Sequence, residues 1–270
     1  LMDIYSWIYI SGLLVGFFAP IAGLLINHFS LIPTMRGLYL FAAVMFTLKF
    51  VILYIFSTET KQGIVRMNET RHQSLFSLIG GYSDVIKQVL HTPRTLYTLG
   101  IMLAMGTATM IQNSFWGILV TQKLHVPNES LALYSTARSF IMLVFFFLVM
   151  PRIREMRFRN PMLVGFLLLA IGQVIVVSIP EKAYILLLVS TFLVACSYAT
   201  VSTQMDRMIV VTIEAKERAR IMGLLFMVVI VFTTPFGWIA GELSEINRNL
   251  PFILNISLYS VGAVLTLLAA

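Results

Sequence analysis

Arg138 lies inside an apolar run that begins at Leu131, seven residues before it. A charge at that depth in an apolar medium is costly and by default carries a functional reading. Its guanidinium offers five N–H donors in a planar fork, a shape suited to a carboxylate, a phosphate or sugar hydroxyls. Gln112 and Asn113 lie a similar distance from the facing end of the preceding run, and Trp116 stands one helical turn beyond Gln112. If the two runs are antiparallel helices joined by the short loop between them, these side chains share one level, roughly 10 Å in from the outer end at 1.5 Å per residue. A cation, two carboxamides and an indole wall would hold a small polar or amphipathic solute. The competing reading is an Arg whose head reaches outward to the interface, or pairs with an acid on another segment.

A second polar group is denser and less specific. Ser197, Tyr198, Thr200, Ser202, Thr203 and Gln204 crowd one half of a later apolar run. They either line a hydrated cavity, with Ser197, Thr200 and Gln204 as further solute contacts, or bond back to their own helix. The acids are placed differently. All twelve Asp and Glu stand in loops or at the ends of apolar runs, and His28, His72, His91 and His125 lie outside the runs too. A coupling proton would then titrate on helices outside this chain. Enzyme signatures are lacking: there is no Gly-rich phosphate loop, no His-Glu-x-x-His helix and no carboxylate pair within a run. The single Cys196 supports neither a disulfide framework nor a Cys-based metal site. No cofactor and no metal are expected.

The element that must position these residues is a helical bundle in a bilayer. Hydrophobic residues make up 59% of the chain and charged residues 11%, against about 25% charged in a soluble domain. Eight apolar runs of spanning length fall at Ile4–Ile26, Gly37–Phe56, Thr95–Val120, Leu131–Val149, Met162–Ile179, Tyr184–Met205, Ile221–Ala240 and Pro251–Ala270. In lipid such runs must be helices, because nothing else pairs their backbone amides. Lys49 lies near one end of its run, where its ammonium reaches the interface.

The loops after the second, fourth and sixth runs carry thirteen Lys and Arg, and the opposite loops carry four. That bias places the basic loops, and with eight runs both termini, in the cytoplasm. The net charge of +7 belongs to these loops rather than to a nucleic-acid surface. The longest basic loop, Ser57 to Arg94, contains Leu75, Phe76, Leu78, Ile79, Val85, Ile86, Val89 and Leu90 at helical spacing, which predicts an amphipathic helix on the inner membrane surface.

Two runs, a long basic cytoplasmic loop and six more runs resemble the major facilitator superfamily, entered at its fifth helix. Gly16-Phe17-Phe18-Ala19-Pro20-Ile21-Ala22-Gly23 resembles the family's fifth-helix Gly-Pro-x-x-Gly pattern, with Ala before the proline. Glu59-Thr60-Lys61-Gln62-Gly63 is similar to a sugar-porter signature, without its proline and with an inserted Gln. Gly12, Gly16, Pro20 and Gly23 find a counterpart six runs later in Gly223, Pro235, Gly237 and Gly241, which suggests six-helix repeats. The loop Pro151 to Arg159 stands where the family places a basic motif, and Glu214 to Gly223 resembles its acidic-basic entry to the eleventh helix. The resemblance implies a cytoplasmic gate of ion pairs among Arg154, Arg157, Asp206, Glu214 and Arg218. It also implies that the helix of Ser197, Thr200 and Gln204 faces a central cavity.

The resulting expectation is an all-α integral membrane protein with eight transmembrane helices, a partial bundle of the major facilitator type. Residues 1–56 would be the last two helices of a first six-helix half whose first four are missing, 57–94 a cytoplasmic linker, and 95–270 the second half. The resemblance implies a secondary transporter in the cell membrane, working by alternating access on a small-molecule solute, with a coupling proton as an optional partner and no nucleic acid. Two alternatives remain open on the residues alone: a non-transporting eight-helix assembly subunit, and a membrane-embedded enzyme acting on lipids. Substrate, direction and oligomeric state are not encoded in any motif present.

Overall fold

Helices are the regular structure of this chain, as its apolar runs require. The computed structural model describes residues 10–14, 16–59, 61–70, 91–181, 183–213 and 218–269, with no strand among them. Residues 10–14 are helical and Gly16–Phe18 form a 3-10 turn. The helices that follow are α1 (Ala19–Phe29), α2 (Leu31–Phe56), α3 (Lys61–Thr70), α4 (Pro93–Gln122), α5 (Asn128–Leu148) and the short α6 (Met150–Arg154). After these come α7 (Arg159–Ser178), α8 (Tyr184–Thr212), α9 (Arg218–Ile246) and α10 (Leu250–Leu268).

Five of them, α2 and α7 to α10, are long and apolar enough to cross a membrane. The 30-residue α4 has the length, but Thr107, Thr109, Gln112, Asn113 and Ser114 dilute its hydropathy. In α5 the apolar stretch is confined to Leu133–Leu148. Every expected run is helical over most of its described length, and three helices extend well past the expected bounds. Helix α2 begins at Leu31 rather than Gly37, α8 runs past Met205 to Thr212, and α9 runs past Ala240 to Ile246. Asp206, expected at a helix end, therefore lies within α8. The amphipathic stretch expected between Leu75 and Leu90 lies outside the described residues.

The chain forms two compact units, Leu1–Ala19 with Gln88–Ala270, and Pro20–Lys87. In the smaller unit the chain turns between α1 and α2 at Ser30, whose φ of 67° lies in the left-handed region, and Thr34 Oγ1 donates to the Leu25 carbonyl at 3.1 Å. The apolar face of α2 is unburied within the structure, with Phe46, Phe50 and Tyr54 among its exposed side chains and Lys49 exposed beside them. In water so large an apolar surface would aggregate; lipid or further helices solvate it.

In the larger unit α7 packs most extensively on α8 and α10, α4 on α10 and α9, and α5 on α8. One core cluster joins Ile101 and Met105 of α4, Phe166 and Leu169 of α7, Val194 and Val201 of α8, and Tyr259 of α10. Glycines set the closest approach. A Cβ on Gly165 would lie 2.5 Å from Val201 Cγ2, and one on Gly172 would lie 2.7 Å from Val194 Cγ2. These two glycines, seven residues apart on one face of α7, let the α7 and α8 backbones approach as small residues do in membrane helices. They also fix how α8 is turned about its own axis. At the expected outer end Lys123 Nζ donates to the Val177 carbonyl at 2.7 Å and to Asn249 Oδ1 at 2.9 Å, joining the ends of α4, α7 and α10.

Candidate solute-binding site

Helices α4 and α5 are antiparallel neighbours in sequence, and they bring the expected residues to one place. Gln112, Asn113 and Trp116 of α4, with Arg138 of α5, line a single cavity of about 190 Å³. The sequence reading did not name the remaining walls. Tyr134 and Ser135 come from α5, Val176 from α7, and Ser190, Thr191 and Val194 from α8. Trp116 and Tyr134 meet edge to face, with ring centres 6.1 Å apart, and form the aromatic side.

Arg138 has a specific neighbour. Its Cζ lies 5.6 Å from the centre of the Tyr198 ring on α8, within the range of a cation–π contact. No carboxylate pairs with this guanidinium among the described residues. Arg138 and Ser135 also border a second opening of about 410 Å³, lined further by Gly12, Leu13, Ser139, Met142 and Tyr198. The guanidinium thus stands between two spaces.

Gln112 is fixed from behind. Gln173 Nε2, on α7, donates to Gln112 Oε1 at 2.7 Å. Gln173 was legible by the same sign that marked Gln112, a carboxamide in the middle of an apolar run. It was missed because no neighbour in sequence drew attention to it. Ser190 Oγ is buried with no hydrogen-bond partner. Such a group costs about 1–3 kcal/mol when nothing satisfies it.

Ser197, Thr200 and Gln204 do not reach this cavity. Ser197 Oγ donates to the Leu193 carbonyl at 2.6 Å and Thr200 Oγ1 to the Cys196 carbonyl at 2.9 Å, each four residues back on α8. Their helix face meets α7 at Gly165, where the Ser197 carbonyl and Thr200 Cβ lie 3.4 and 3.7 Å from the site of a Cβ. Gln204 is buried, with Oε1 unpaired. Of the polar stripe, Tyr198 alone touches the Arg138 site.

The gate expected from the resemblance is only partly within view. The side chains of Arg154, Glu214 and Arg218 lie outside the described residues. Arg157 is exposed, and Asp206 makes no ion pair with it. In that region Arg207 donates to the Met156 carbonyl at 2.9 Å.

The glycine-rich run approaches the site helix directly. Thr136 Oγ1 donates to the Gly16 carbonyl at 3.2 Å, and a Cβ on Gly16 would collide with Ser139 Oγ. Gly12, Gly223 and Gly241 meet nothing within 4 Å.

The MFS_1 like family matches residues 12–246. The chain belongs to that family. It is a multi-pass membrane protein of the transporter class, with an all-α fold of the major facilitator type. The MFS_1 like match covers the glycine-rich run and every residue of the Arg138 cavity, and stops short of α10. No curated protein matches the chain.

Proposed function

We propose that this chain belongs to a secondary transporter that carries a small polar or amphipathic solute by alternating access, and that the Arg138 cavity is the solute's half-site on the second six-helix half. The observation that supports it is the convergence of Arg138, Gln112, Asn113 and Trp116 on one cavity. A lone guanidinium inside an apolar bundle, with no carboxylate pairing it among the described residues, fits a site whose counter-charge arrives with the solute. The cavity of about 190 Å³ is smaller than the roughly 300–1,000 Å³ of complete small-molecule pockets, which fits a half-site.

On this reading residues 1–56 belong to the first half, 57–94 are the cytoplasmic connection and 95–270 are the second half. The basic loops face the cytoplasm across the cell membrane, with both ends inside. The test is solute flux in vesicles reconstituted with the full transporter. Arg138→Ala and Arg138→Lys should each lower flux by at least about ten-fold, since Lys lacks the planar fork. Wild-type flux in both variants would remove Arg138 from the path.

A further inference from the structure

Arg138 and Gln112 each turn a donor to the cavity they line, and one residue outside it sets the orientation of Gln112. Arg138 can only donate. A carboxamide can present either end, but the Gln112 carbonyl is occupied by Gln173 Nε2 at 2.7 Å. The Gln112 amide NH₂ is therefore the end left for the cavity that Gln112 lines. Ser190, 1% exposed, lines the same wall with its hydroxyl unpaired. Its neighbour Thr191 has already given its proton to the Leu187 carbonyl at 2.8 Å. Donors from three helices thus border one space, and Trp116, Val176 and Val194 supply apolar wall.

Gln173 is 0% exposed and does not line the cavity, so it acts on a solute through the side chains it touches, of which Gln112 is the one that lines the cavity. We propose that Gln173 is a positioning residue that fixes the polarity of the cavity, and that the donor-rich cavity selects small organic monocarboxylates with an apolar body. This rests on the Arg138 cavity being the solute site. One guanidinium matches one negative charge. Arg138 is the one charged group among the described lining residues, so a second negative charge would meet no second cation on this half, and an ammonium head would meet the like charge of the guanidinium.

The swap of one atom at position 173 reverses the logic. Ionised Gln173→Glu accepts only, so Gln112 must turn its NH₂ toward it and show its carbonyl to the cavity. Gln173→Met removes the donor at similar volume and leaves Gln112 free to rotate.

The experiment follows Trp116 emission in the full transporter with every other tryptophan, Trp7 and Trp238 included, replaced by Phe, titrated with sodium butyrate, butyramide and butylammonium chloride. The three probes share a carbon body and differ in the head. Butyrate should act at concentrations at least about ten-fold below butyramide, as expected where buried donors need an anionic acceptor. Butylammonium should be the weakest. Gln173→Glu should bring the butyrate-to-butyramide ratio close to one, and Gln173→Met should lower it about three-fold or more. Melting temperature and gel-filtration profile show that each variant is folded. Arg138→Gln should abolish the butyrate response.

If the ratio stays at its wild-type value in both Gln173 variants while Arg138→Gln loses butyrate, the positioning role is overturned and the solute site stands. Equal action of butyrate and butyramide on the wild type, or no response to any probe, overturns the carboxylate class. A butyrate response unchanged in Arg138→Gln overturns the site itself.

Discussion

The Arg138 guanidinium, on α5, is held against the Tyr198 ring of α8, with Cζ 5.6 Å from the ring centre. An aromatic face orients a cation without neutralising it. A carboxylate in the same place would satisfy the Arg and compete with any anionic solute. The ring leaves the full charge available to the two openings that Arg138 borders.

Tyr198→Phe keeps the face and should leave solute affinity within about two-fold, whereas Tyr198→Leu removes it and should weaken affinity about two- to five-fold, the equivalent of about 0.5–1 kcal/mol. The KM of vesicle flux measures this. Equal loss in both variants would mean that the Tyr198 hydroxyl, rather than its ring, matters.

Ser197→Ala and Thr200→Val remove hydroxyls that bond to their own helix. Flux should stay within about two-fold of wild type in each, because a back-bonded hydroxyl contributes little to the helix and nothing to the cavity. A ten-fold drop in KM-normalised flux, with normal insertion, would return these residues to the solute path.

Gly16→Ala puts a methyl into the Ser139 hydroxyl. Overpacking of this kind costs about 1–3 kcal/mol, and here it would push the Gly16 turn off the helix that carries Arg138. Lower melting temperature and reduced flux are expected. Pairing Gly16→Ala with Ser139→Gly, which clears the colliding atoms, should recover most of both. Failure of the pair to recover either would show that the contact with Ser139 is not what requires glycine at position 16.

Lys123→Met cuts the two bonds that join α4, α7 and α10, to Val177 O and Asn249 Oδ1, and should cost about 1–3 kcal/mol, as charged hydrogen bonds do. Burial pushes the Lys123 ammonium below its ordinary 10.5. Between the lowered native value and 10.5 the unfolded chain holds the extra proton, so wild-type stability rises with pH across that window. The variant lacks that term, so the gap in melting temperature between wild type and Lys123→Met should widen as pH is raised toward 10.5. A gap that narrows would mean that the charged form is the favoured one in the folded state.

The placement of Arg138 beside Gln112, Asn113 and Trp116 was legible in the sequence because it depends on local quantities. Rise per residue and a short connection are enough to bring two antiparallel helices to a common level. The same arithmetic placed the apolar runs on helices, since lipid allows the backbone no other pairing. The family was legible from the order of runs and the charge of the loops, and the match over residues 12–246 agrees with it.

What the sequence could not carry was the rotation of each helix about its axis. In a soluble protein an apolar stripe marks the inward face. In α8 polar residues are interleaved with apolar ones, and in lipid neither kind marks the inward face, so its polar residues could equally have faced a cavity or a neighbour. Tertiary packing decided it. Gly165 and Gly172 seat α8 against α7 with Ser197 and Thr200 in the contact, and that rotation carries Tyr198 to Arg138. The Gln173–Gln112 bond, across 61 residues of sequence, likewise exists only because α7 and α4 come together. The sequence by itself determined which medium the chain occupies and which charge its helices bury. The tertiary structure determined which polar groups meet that charge, because side-chain facing in lipid is set by close contact between helices and not by contrast with water.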